Sequence, residues 1–372
     1  MSKVFESTVI NSMALKNRFV RSATWEGMAA DDGSCTPKLT ETMVRLADGG
    51  VGLIITGHAY VAKEGQAGPW QLGIYHDRLV DGLHQMSDAV HGAGGIIVAQ
   101  LAHSGMFADP NLIGTRPIGP SAVTGVSRHD IREMTSSDIE HLKKVFSQAA
   151  ERAKQAGFDG VQLHAAHGYL LSQFLSPYFN RRADTYGGPI EQRVRIIVEI
   201  LNEIRLRVGP DYPVLIKMNT RDFLDGGQEF DDAATAAAIL AEKGLDAVEL
   251  SGGTGLSGKL NPVRTGIRKA SDEAYFRDAA VAFREKMSLP IILVGGIRSF
   301  TLAEQLVVDG VADYISMSRP FIREPDLINR WLGGDRRKAA CLSDSRCFVP
   351  ARKGEGVYCV ISARDRPSEN GA

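Results

Sequence analysis

Short apolar runs alternate with longer amphipathic segments along most of this chain. Eight short runs are rich in β-branched residues and predict strands, at 18–23, 51–56, 96–101, 160–164, 214–219, 247–250, 291–294 and 314–317. Several of them are apolar throughout instead of alternating with polar residues, which is typical of strands buried on both faces of a parallel sheet. The pattern therefore predicts a parallel sheet of eight strands.

The segments between these strands have the 3.6-residue spacing of amphipathic helices. One such helix is predicted to end at Gly157, and its apolar positions are Ile139, Leu142, Phe146, Ala149, Ala150 and Ala153. The residues Ser137-Asp138-Ile139-Glu140 predict a capping box at its start. Segments 190–208 and 230–244 are predicted helices on the same spacing. Repeated strand–helix units indicate an α/β fold, a single-domain (β/α)8 TIM barrel.

Two segments and the tail do not fit a minimal barrel. Residues 104–134 follow the third strand and residues 252–274 follow the sixth, so both leave the carboxyl ends of strands, where barrel enzymes keep their active sites. The second segment is a basic loop, which is either a receptor for an anionic substrate such as an acyl-coenzyme A or a solvated surface; its cations are Lys259, Arg264, Arg268 and Lys269. We expect residues 1–335 to form the barrel and residues 336–372 an irregular C-terminal extension, frayed at 364–372.

Composition narrows the class of protein. At 372 residues, with 44% hydrophobic and 23% charged residues, the chain has the make-up of an ordinary soluble globule. A net charge of −1 offers no electrostatic case for nucleic acid or anionic membrane as a partner. The amino terminus lacks the apolar core of a signal peptide, so a cytoplasmic protein is expected. The four cysteines do not resemble a secreted disulfide framework.

Two histidines and a tyrosine directly follow the fourth predicted strand. His164, His167 and Tyr169 place two hydrogen-bond donors and a proton source close together. This grouping suits the polarisation of a carbonyl oxygen and the protonation of the carbon beside it. The alternative interpretation is a pair of packed histidines and a core tyrosine.

The last two strands carry a pattern typical of phosphate binding. Gly295 and Gly296 follow the seventh strand and expose backbone N–H groups, and Ser318 and Arg319 follow the eighth. Ordinary turns also use glycine pairs. Together with the histidine–tyrosine group, the pattern favours a phosphorylated cofactor that lies across the barrel mouth.

Several motifs resemble the Old Yellow Enzyme family of NADH:flavin oxidoreductases. They are LKNRFV at 15–20, QLAHSG at 100–105, AGFDG at 156–160, HAAHGYL at 164–170, FLSP at 174–177 and NRRADTYGG at 180–188. The resemblance implies a barrel that binds FMN and uses NADPH or NADH to reduce the C=C bond of small α,β-unsaturated carbonyl compounds. It also allows a homo-oligomer, because family members are often dimers or tetramers.

The same resemblance implies roles for individual residues. His164 and His167 would hydrogen-bond the carbonyl oxygen of the activated alkene. Tyr169 would protonate the α carbon after flavin N5 has delivered a hydride to the β carbon. Lys217 stands where the family usually has an arginine, near flavin N1, and a cation there favours the anionic reduced flavin. The residues expected to bind FMN are Ala23, Thr24, Gly57, Gln100, Lys217, Gly295, Gly296, Ser318 and Arg319.

The chain departs from the family pattern at the first strand. Many members have a proline there and a cysteine or threonine two residues later, which tunes the flavin. This chain has Ala23 and Trp25 instead. The tuning role therefore does not transfer, and Trp25 either forms a wall of the substrate pocket or points away.

The second departure is in the tail, where Cys341, Asp344, Cys347 and Cys359 resemble the iron–sulfur segment of dienoyl-coenzyme A reductases and trimethylamine dehydrogenase. Those relatives use four cysteines and carry further flavin and nucleotide domains, so we expect a degenerate remnant and assign no metal ligands. The alternatives are a zinc site, or a working cluster that carries electrons in a dehydrogenase, a demethylase or an enoyl-coenzyme A-type reductase. Two more distant hypotheses are a non-catalytic binding protein and a metal-dependent barrel hydrolase. The hydrolase would use His164 and His167 as metal ligands, with His58 and His103 available as further ligands.

Overall fold

The computed structural model describes residues 2–364 of the chain. The strands are β1 (Thr8–Ile10), β2 (Met13–Leu15), β3 (Phe19–Arg21), β4 (Leu53–Tyr60), β5 (Ile97–Ala102), β6 (Ile118–Gly119), β7 (Arg132–Glu133), β8 (Gly160–Ala165), β9 (Val214–Asn219), β10 (Ala247–Ser251), β11 (Ile291–Leu293) and β12 (Tyr314–Met317). The helices are α1 (Pro37–Asp48), α2 (Val80–Gly92), α3 (Pro110–Ile113), α4 (Ser136–Gln155), α5 (Leu170–Leu175), α6 (Ile190–Arg193), α7 (Arg195–Val208), α8 (Phe230–Glu242), α9 (Arg277–Lys286), α10 (Phe300–Val308), α11 (Arg319–Arg323), α12 (Leu327–Leu332), α13 (Phe348–Ala351) and α14 (Val360–Arg364). Fraying was expected at 364–372, and all of this segment after residue 364 lies outside the described residues.

Eight parallel strands close into a barrel in the order β3-β4-β5-β8-β9-β10-β11-β12. The prediction of a (β/α)8 barrel is therefore confirmed, and each of the eight apolar runs contributes one strand. The pairing of β4 with β5 contains a register shift between Ile55 and His58. A bulge of this kind re-aims the side chains that follow it.

The amino-terminal end of the barrel is closed by an antiparallel hairpin of β1 and β2. Ile10, Met13 and Leu15 of the hairpin pack against the lower layer of barrel side chains, which includes Val20 and Leu215. All of these side chains are buried. Because the lower end is filled with apolar side chains, a ligand can enter only from the carboxyl ends of the strands.

The helix α4 shows how the outer layer forms and where the sequence prediction was wrong. Every apolar position predicted for this helix is buried, from Ile139 to Ala153. Its capping box, however, is made by Thr135 and Asp138, two residues before the predicted Ser137–Glu140 box. Asp138 also pairs with Arg132, which favours the earlier start. The predicted helix 190–208 is likewise divided, into α6 and α7.

The two excursions leave the carboxyl ends of β5 and β10. Segment 104–134 contains α3 and the short pair β6–β7, and it buries Met106 and Val123 against Phe179. Segment 252–274 contains only two short 3-10 turns. No helix within residues 2–364 is long and apolar enough to cross a membrane.

The C-terminal extension packs across the loop that follows β3. It is irregular apart from α13 and α14, and Cys347, Ala351 and Val357 form a small apolar cluster with Trp25 and Met28 of that loop. The Val357 N–H donates to the carbonyl of Glu26 at 2.7 Å. The extension therefore reaches the mouth of the barrel although it is far from β3 in sequence.

Candidate active site at the barrel mouth

A cavity of about 370 Å³ opens at the carboxyl ends of the barrel strands, a volume in the range of small-molecule sites. Ten of the predicted site residues line it: Ala23, Thr24, Gln100, His164, His167, Tyr169, Lys217, Gly296, Ser318 and Arg319. Gly57 and Gly295 do not. The barrel thus brings together most of the predicted site residues, which the sequence separates by up to about three hundred positions.

The histidine–tyrosine group is compact. The ring of His164 lies 4.6 Å from that of Tyr169 and 5.2 Å from that of His167, centroid to centroid. His167 and Gly168 have positive φ angles, of 64° and 84°, so the chain turns sharply after β8. The His167 N–H donates to Asn219 Oδ1 at 3.1 Å. This turn allows both histidines and the tyrosine to reach one cavity.

The protonation states in this group follow from removal from water. Desolvation lowers the pKa of His164 and His167 well below the ordinary value, and repulsion by Lys217 adds to it, so both imidazoles are neutral near pH 7. Desolvation raises the pKa of Tyr169 to about 12, so the phenol keeps its proton. His164 Nδ1 is buried without a hydrogen-bond partner among residues 2–364, which leaves Nε2 as the nitrogen that can reach a ligand. The site can therefore bind an acceptor oxygen and donate one proton.

His58, on the bulged strand β4, lines the cavity in place of the predicted Gly57. The Gly57 N–H is already used, because it donates to Glu26 Oε1 at 3.0 Å. Gly57 thus does not line the cavity whereas the neighbouring His58 does, and the assignment of Gly57 to the cofactor stays a prediction. His58 Nε2 lies 3.2 Å from the Tyr169 hydroxyl oxygen, a contact that sequence reasoning missed because a bulge cannot be located from the pattern of residues.

Under the cavity lies a buried ion pair. Lys217 Nζ is 3.2 Å from Glu249 Oε1, with 4% and 0% of the two side chains exposed. The Ser22 hydroxyl donates to the same carboxylate at 2.7 Å and accepts from Lys217 at 2.7 Å. Desolvation alone would raise the pKa of Glu249, but Lys217 and the hydroxyls of Ser22 and Ser316 together hold it below the ordinary value. Lys217 therefore brings its charge to the cavity with a compensating carboxylate behind it.

A chain of amides continues from this pair to the cavity. Gln162 Nε2 donates to Glu249 Oε2 at 3.0 Å, and Gln100 Nε2 donates to Gln162 Oε1 at 2.7 Å. We call the connected side chains on the strands the floor of the site; its members are Ser22, Gln100, Gln162, Lys217, Glu249 and Ser316. Glu249 was missed in the sequence, although a lone carboxylate inside the apolar run 247–250 was a usable signal.

Two arginines hold the upper wall together. Arg319 Nη1 donates to Ser345 Oγ at 2.8 Å and Nη2 to the carbonyl of Arg264 at 2.8 Å. Arg298 is buried and donates to the carbonyls of Cys341 and Ile267. We call the loop 252–274 and the segment 341–352 the rim of the site. Each arginine connects these two parts of the rim.

The predicted phosphate residues lie beside this wall. Gly296 has a φ of 72° and lines the cavity, and a Cβ there would approach Tyr275 Cε1 at 2.9 Å. Thr24 and Ser318 are joined by a 2.7 Å hydroxyl–hydroxyl hydrogen bond. Gly295 is buried behind the wall, so of the glycine pair only Gly296 faces the cavity.

The C-terminal extension contributes side chains to the cavity that the sequence did not indicate. Ser343, Ser345, Phe348 and Arg352 all line it, and Trp25 lies beside them. The position of Trp25 agrees with the interpretation of this residue as a wall of the pocket. No local signal marks the tail residues, because their place depends only on how the tail folds back.

The cysteines of the tail surround a separate, small cavity. Cys341, Cys347 and Cys359 line a space of about 20 Å³ together with Asp344. Among residues 2–364, no three histidine, cysteine, aspartate or glutamate side chains are placed to hold a metal ion. The proposed zinc set of three thiols and a carboxylate is therefore not assembled in this structure.

The basic loop 252–274 is mixed in character. Lys259, Arg268 and Lys269 are exposed to solvent. Arg264 instead stacks on the Tyr275 ring, with 4.2 Å from its guanidinium carbon to the ring centroid, and its desolvation lowers its pKa. Three of the four cations thus match a solvated surface, and the fourth is a structural part of the rim.

Comparison with known proteins agrees with this geometry. Residues 3–335 match the model of the NADH:flavin oxidoreductase / NADH oxidase family. The chain is 34% identical to an NADH oxidase of Thermoanaerobacter brockii over 96% of its own length, but it spans only 57% of that relative. It is 33% identical to an NADPH dehydrogenase of Halalkalibacterium halodurans, over 87% of this chain and 92% of the relative. The solved structure of an old yellow enzyme homologue from Zymomonas mobilis superposes with a TM-score of 0.80 at 26% identity, over 98% of this chain and 99% of the other.

Proposed function

The chain belongs to the NADH:flavin oxidoreductase / NADH oxidase family, and on that premise we propose that it is an FMN-dependent ene-reductase. In this proposal NADPH or NADH provides the electrons, and the C=C bond of a small α,β-unsaturated carbonyl compound is reduced. The observation that carries the proposal is the group of His164, His167 and a protonated Tyr169 on one cavity. The related NADPH dehydrogenase, matched over nearly its whole length, supports the choice of reductant.

The residues at the cavity fit FMN. Lys217 offers a cation and Gln100 an amide for the pyrimidine edge of the ring system, and both reach the cavity from the floor. Gly296, Ser318 and Arg319 offer backbone N–H, hydroxyl and guanidinium groups for the phosphate. The close approach of the Gly296 backbone to Tyr275 leaves no room for a side chain. When bound, FMN supplies the hydride transfer from the nicotinamide to the β carbon of the alkene.

His164 and His167 bind and polarise the substrate oxygen in this proposal. A neutral imidazole carries one N–H donor, and two such donors stabilise the negative charge that develops on the oxygen during reduction. Their low pKa values keep this state constant across the physiological range. The Ser251 hydroxyl, 2.7 Å from His167 Nε2, orients the second ring.

Tyr169 gives the proton to the α carbon. A phenol with a pKa of about 12 is fully protonated at pH 7. It is too weak an acid to lose its proton before negative charge develops on the substrate. The Tyr169 ring lies 4.6 Å from that of His164, centroid to centroid, which supports a proton donor beside an oxygen bound by the imidazoles. The chain's own residues therefore need only bind, orient and protonate.

The alternative function, a dehydrogenase, demethylase or enoyl-coenzyme A-type reductase that passes electrons through an iron–sulfur site, has less support. Its cysteine group has three thiols, with Asp344 in the place of a fourth, whereas thiolates are the usual cluster ligands. We also propose the cytoplasm as the compartment and treat the activated alkene and the nicotinamide as the small-molecule partners.

An absorption spectrum tests the proposal directly. The purified protein is supplied with FMN, reduced anaerobically with NADPH or NADH, and then mixed with cyclohexenone. We expect a flavin band that bleaches and then returns with the enone. A protein that binds no flavin, or a reduced flavin that the enone does not reoxidise, contradicts the proposed function. An added iron–sulfur absorbance with no response to enones supports the alternative instead.

A further inference from the structure

The hydrogen bond between His58 and Tyr169 has no part in the function proposed so far. His58 Nε2 lies 3.2 Å from the Tyr169 hydroxyl oxygen, and the two rings are 5.3 Å apart, centroid to centroid. Within residues 2–364, no other side chain hydrogen-bonds to that hydroxyl. Both side chains line the cavity. The contact therefore connects the proposed proton donor to a second titratable group.

The direction of this hydrogen bond determines where the tyrosine proton points. If the phenol donated to His58, its proton would face the imidazole and would be unavailable to a substrate. If His58 donates through Nε2–H, the phenol oxygen accepts and its own proton is turned toward the cavity. Only the second arrangement is compatible with Tyr169 as the proton donor.

From this geometry we infer that His58 is a positioning residue that orients Tyr169 and returns a proton to it after each turnover. The inference rests on the proposed function. Tyr169 gives its proton to the α carbon and becomes a phenolate, which accepts the Nε2–H hydrogen bond. Nδ1 takes a proton from solvent water as the Nε2 proton moves to the phenolate oxygen, which leaves the Nδ1–H tautomer of His58. Exchange with solvent, in which Nδ1 releases one proton and Nε2 takes one up, restores the Nε2–H tautomer before the next turnover. The net change is one solvent proton consumed for each alkene reduced, with no electron transfer at either residue.

The surroundings of His58 suit this role. Desolvation lowers its pKa to about 4, so the imidazole is neutral and holds one proton on one nitrogen. His58 is only partly buried, unlike His164, and it lines the open cavity. The bulge in β4 that turns His58 inward is itself part of the barrel. A rigid strand thus holds the relay beside the loop that carries Tyr169.

Two substitutions separate orientation from proton return. His58→Phe removes both, and we expect alkene reduction in a single turnover to slow by about 10- to 100-fold, at or below the lower end of the range of about 100- to 10,000-fold for general acid–base catalysis. His58→Gln keeps an N–H donor but cannot relay a proton. It should therefore retain most of the single-turnover rate, while its rate in repeated turnover falls about 10-fold. The control is His84→Gln, since His84 is exposed on α2 and outside the cavity.

The measurement is stopped-flow reoxidation of the FMN-loaded, prereduced enzyme by cyclohexenone, followed by steady-state turnover with NADPH. Reduction of the flavin by NADPH should be unchanged in every variant.

A Phe variant as fast as the wild type overturns the positioning role, and a Gln variant unaffected in repeated turnover overturns the relay. An equal loss in both half-reactions places His58 at the cofactor and also overturns the inference. If the wild type itself fails to reduce the enone, the proposed function fails, which is a separate result. Should the Phe variant bind no FMN, the Gln variant alone decides.

Discussion

The floor and the rim of the cavity are both held by cations, but the hydrogen-bonding groups of these cations are satisfied in different ways. In the floor, Lys217 pairs with the carboxylate of Glu249, on the neighbouring strand β10. At the rim, Arg298 and Arg319 come from outside the two rim segments and donate to main-chain carbonyls and one hydroxyl of the loop and the tail. The floor is thus a charge-balanced part of the barrel, whereas the rim is held by Arg298 and Arg319, which have no carboxylate ion-pair partner among residues 2–364. We therefore expect the floor to set stability and the rim to adjust the shape of the pocket.

Substitution of the floor lysine should have the largest effect. Lys217→Met leaves Glu249 buried and unpaired, so we expect the free energy of unfolding to fall by about 3–5 kcal/mol. Denaturant titration measures it. The matched control is the double variant Lys217→Met/Glu249→Leu, which removes both charges and should recover most of the loss. Equal destabilisation of the single and double variants would show that the pair is not charge-coupled.

Acidification should lower the folding stability through the buried histidines on the barrel side of the site before it affects the rim. His58, His164 and His167 have folded-state pKa values below the ordinary value of 6.5. Desolvation lowers the pKa of His58 to about 4. Between the folded-state and unfolded-state pKa values, the unfolded state binds more protons than the folded state. The contribution of these histidines to stability is therefore complete above about pH 6.5 and is lost as the pH falls toward 4. Unfolding midpoints measured from pH 7.5 to 4.5 should decrease in this window, and less so in His58→Gln. An equal decrease in both proteins would argue against this origin.

Tyr169→Phe tests the chemistry above the floor. It removes the proton source and little volume, so alkene reduction should slow by about 100-fold. Flavin reduction by the nicotinamide needs no proton from this residue and should stay nearly unchanged. Separate stopped-flow measurements of the two half-reactions distinguish these outcomes, and equal losses would refute the role of proton donor.

Removal of the two substrate-binding imidazoles should have a smaller effect. The double variant His164→Ala/His167→Ala removes both ring donors that hold an anionic or polar oxygen, so phenol should bind about 10-fold more weakly, the equivalent of one or two hydrogen bonds. Phenols stacked on an oxidised flavin give a charge-transfer band that reports their binding. An unchanged phenol titration contradicts the binding role.

The smallest effect is expected in the rim. Ser345→Ala removes one hydrogen bond of Arg319 and leaves the guanidinium bonded to the Arg264 carbonyl. We expect a loss of about 0.5–1.5 kcal/mol in stability or in FMN affinity. Fluorescence titration of FMN measures the second quantity. A loss of stability as large as that of Lys217→Met would contradict the proposed difference between floor and rim.

Much of the site could be predicted because its residues sit at the ends of regular strands. The periodicity places Gln100, His164 and Lys217 on barrel strands, and parallel strands bring their carboxyl ends to one face. The structure differs from the sequence-based expectation where regular geometry ends. His58, which follows a bulge in β4, lines the cavity where Gly57 was expected, and of the glycine pair only Gly296 lines it. The capping box moved to Thr135 because Asp138 had a better partner in Arg132.

By itself, the sequence determined the barrel, the eight strands and the histidine–tyrosine group, because burial on both faces and residue order in a parallel sheet are local and repetitive properties. Only the tertiary structure decided that Glu249 balances Lys217, that His58 holds Tyr169, and that Phe348 and Arg352 of the tail line the cavity. These contacts depend on strand register, on one bulge and on the path of an irregular segment. Each joins residues that are distant in sequence, so no local pattern of side chains encodes them.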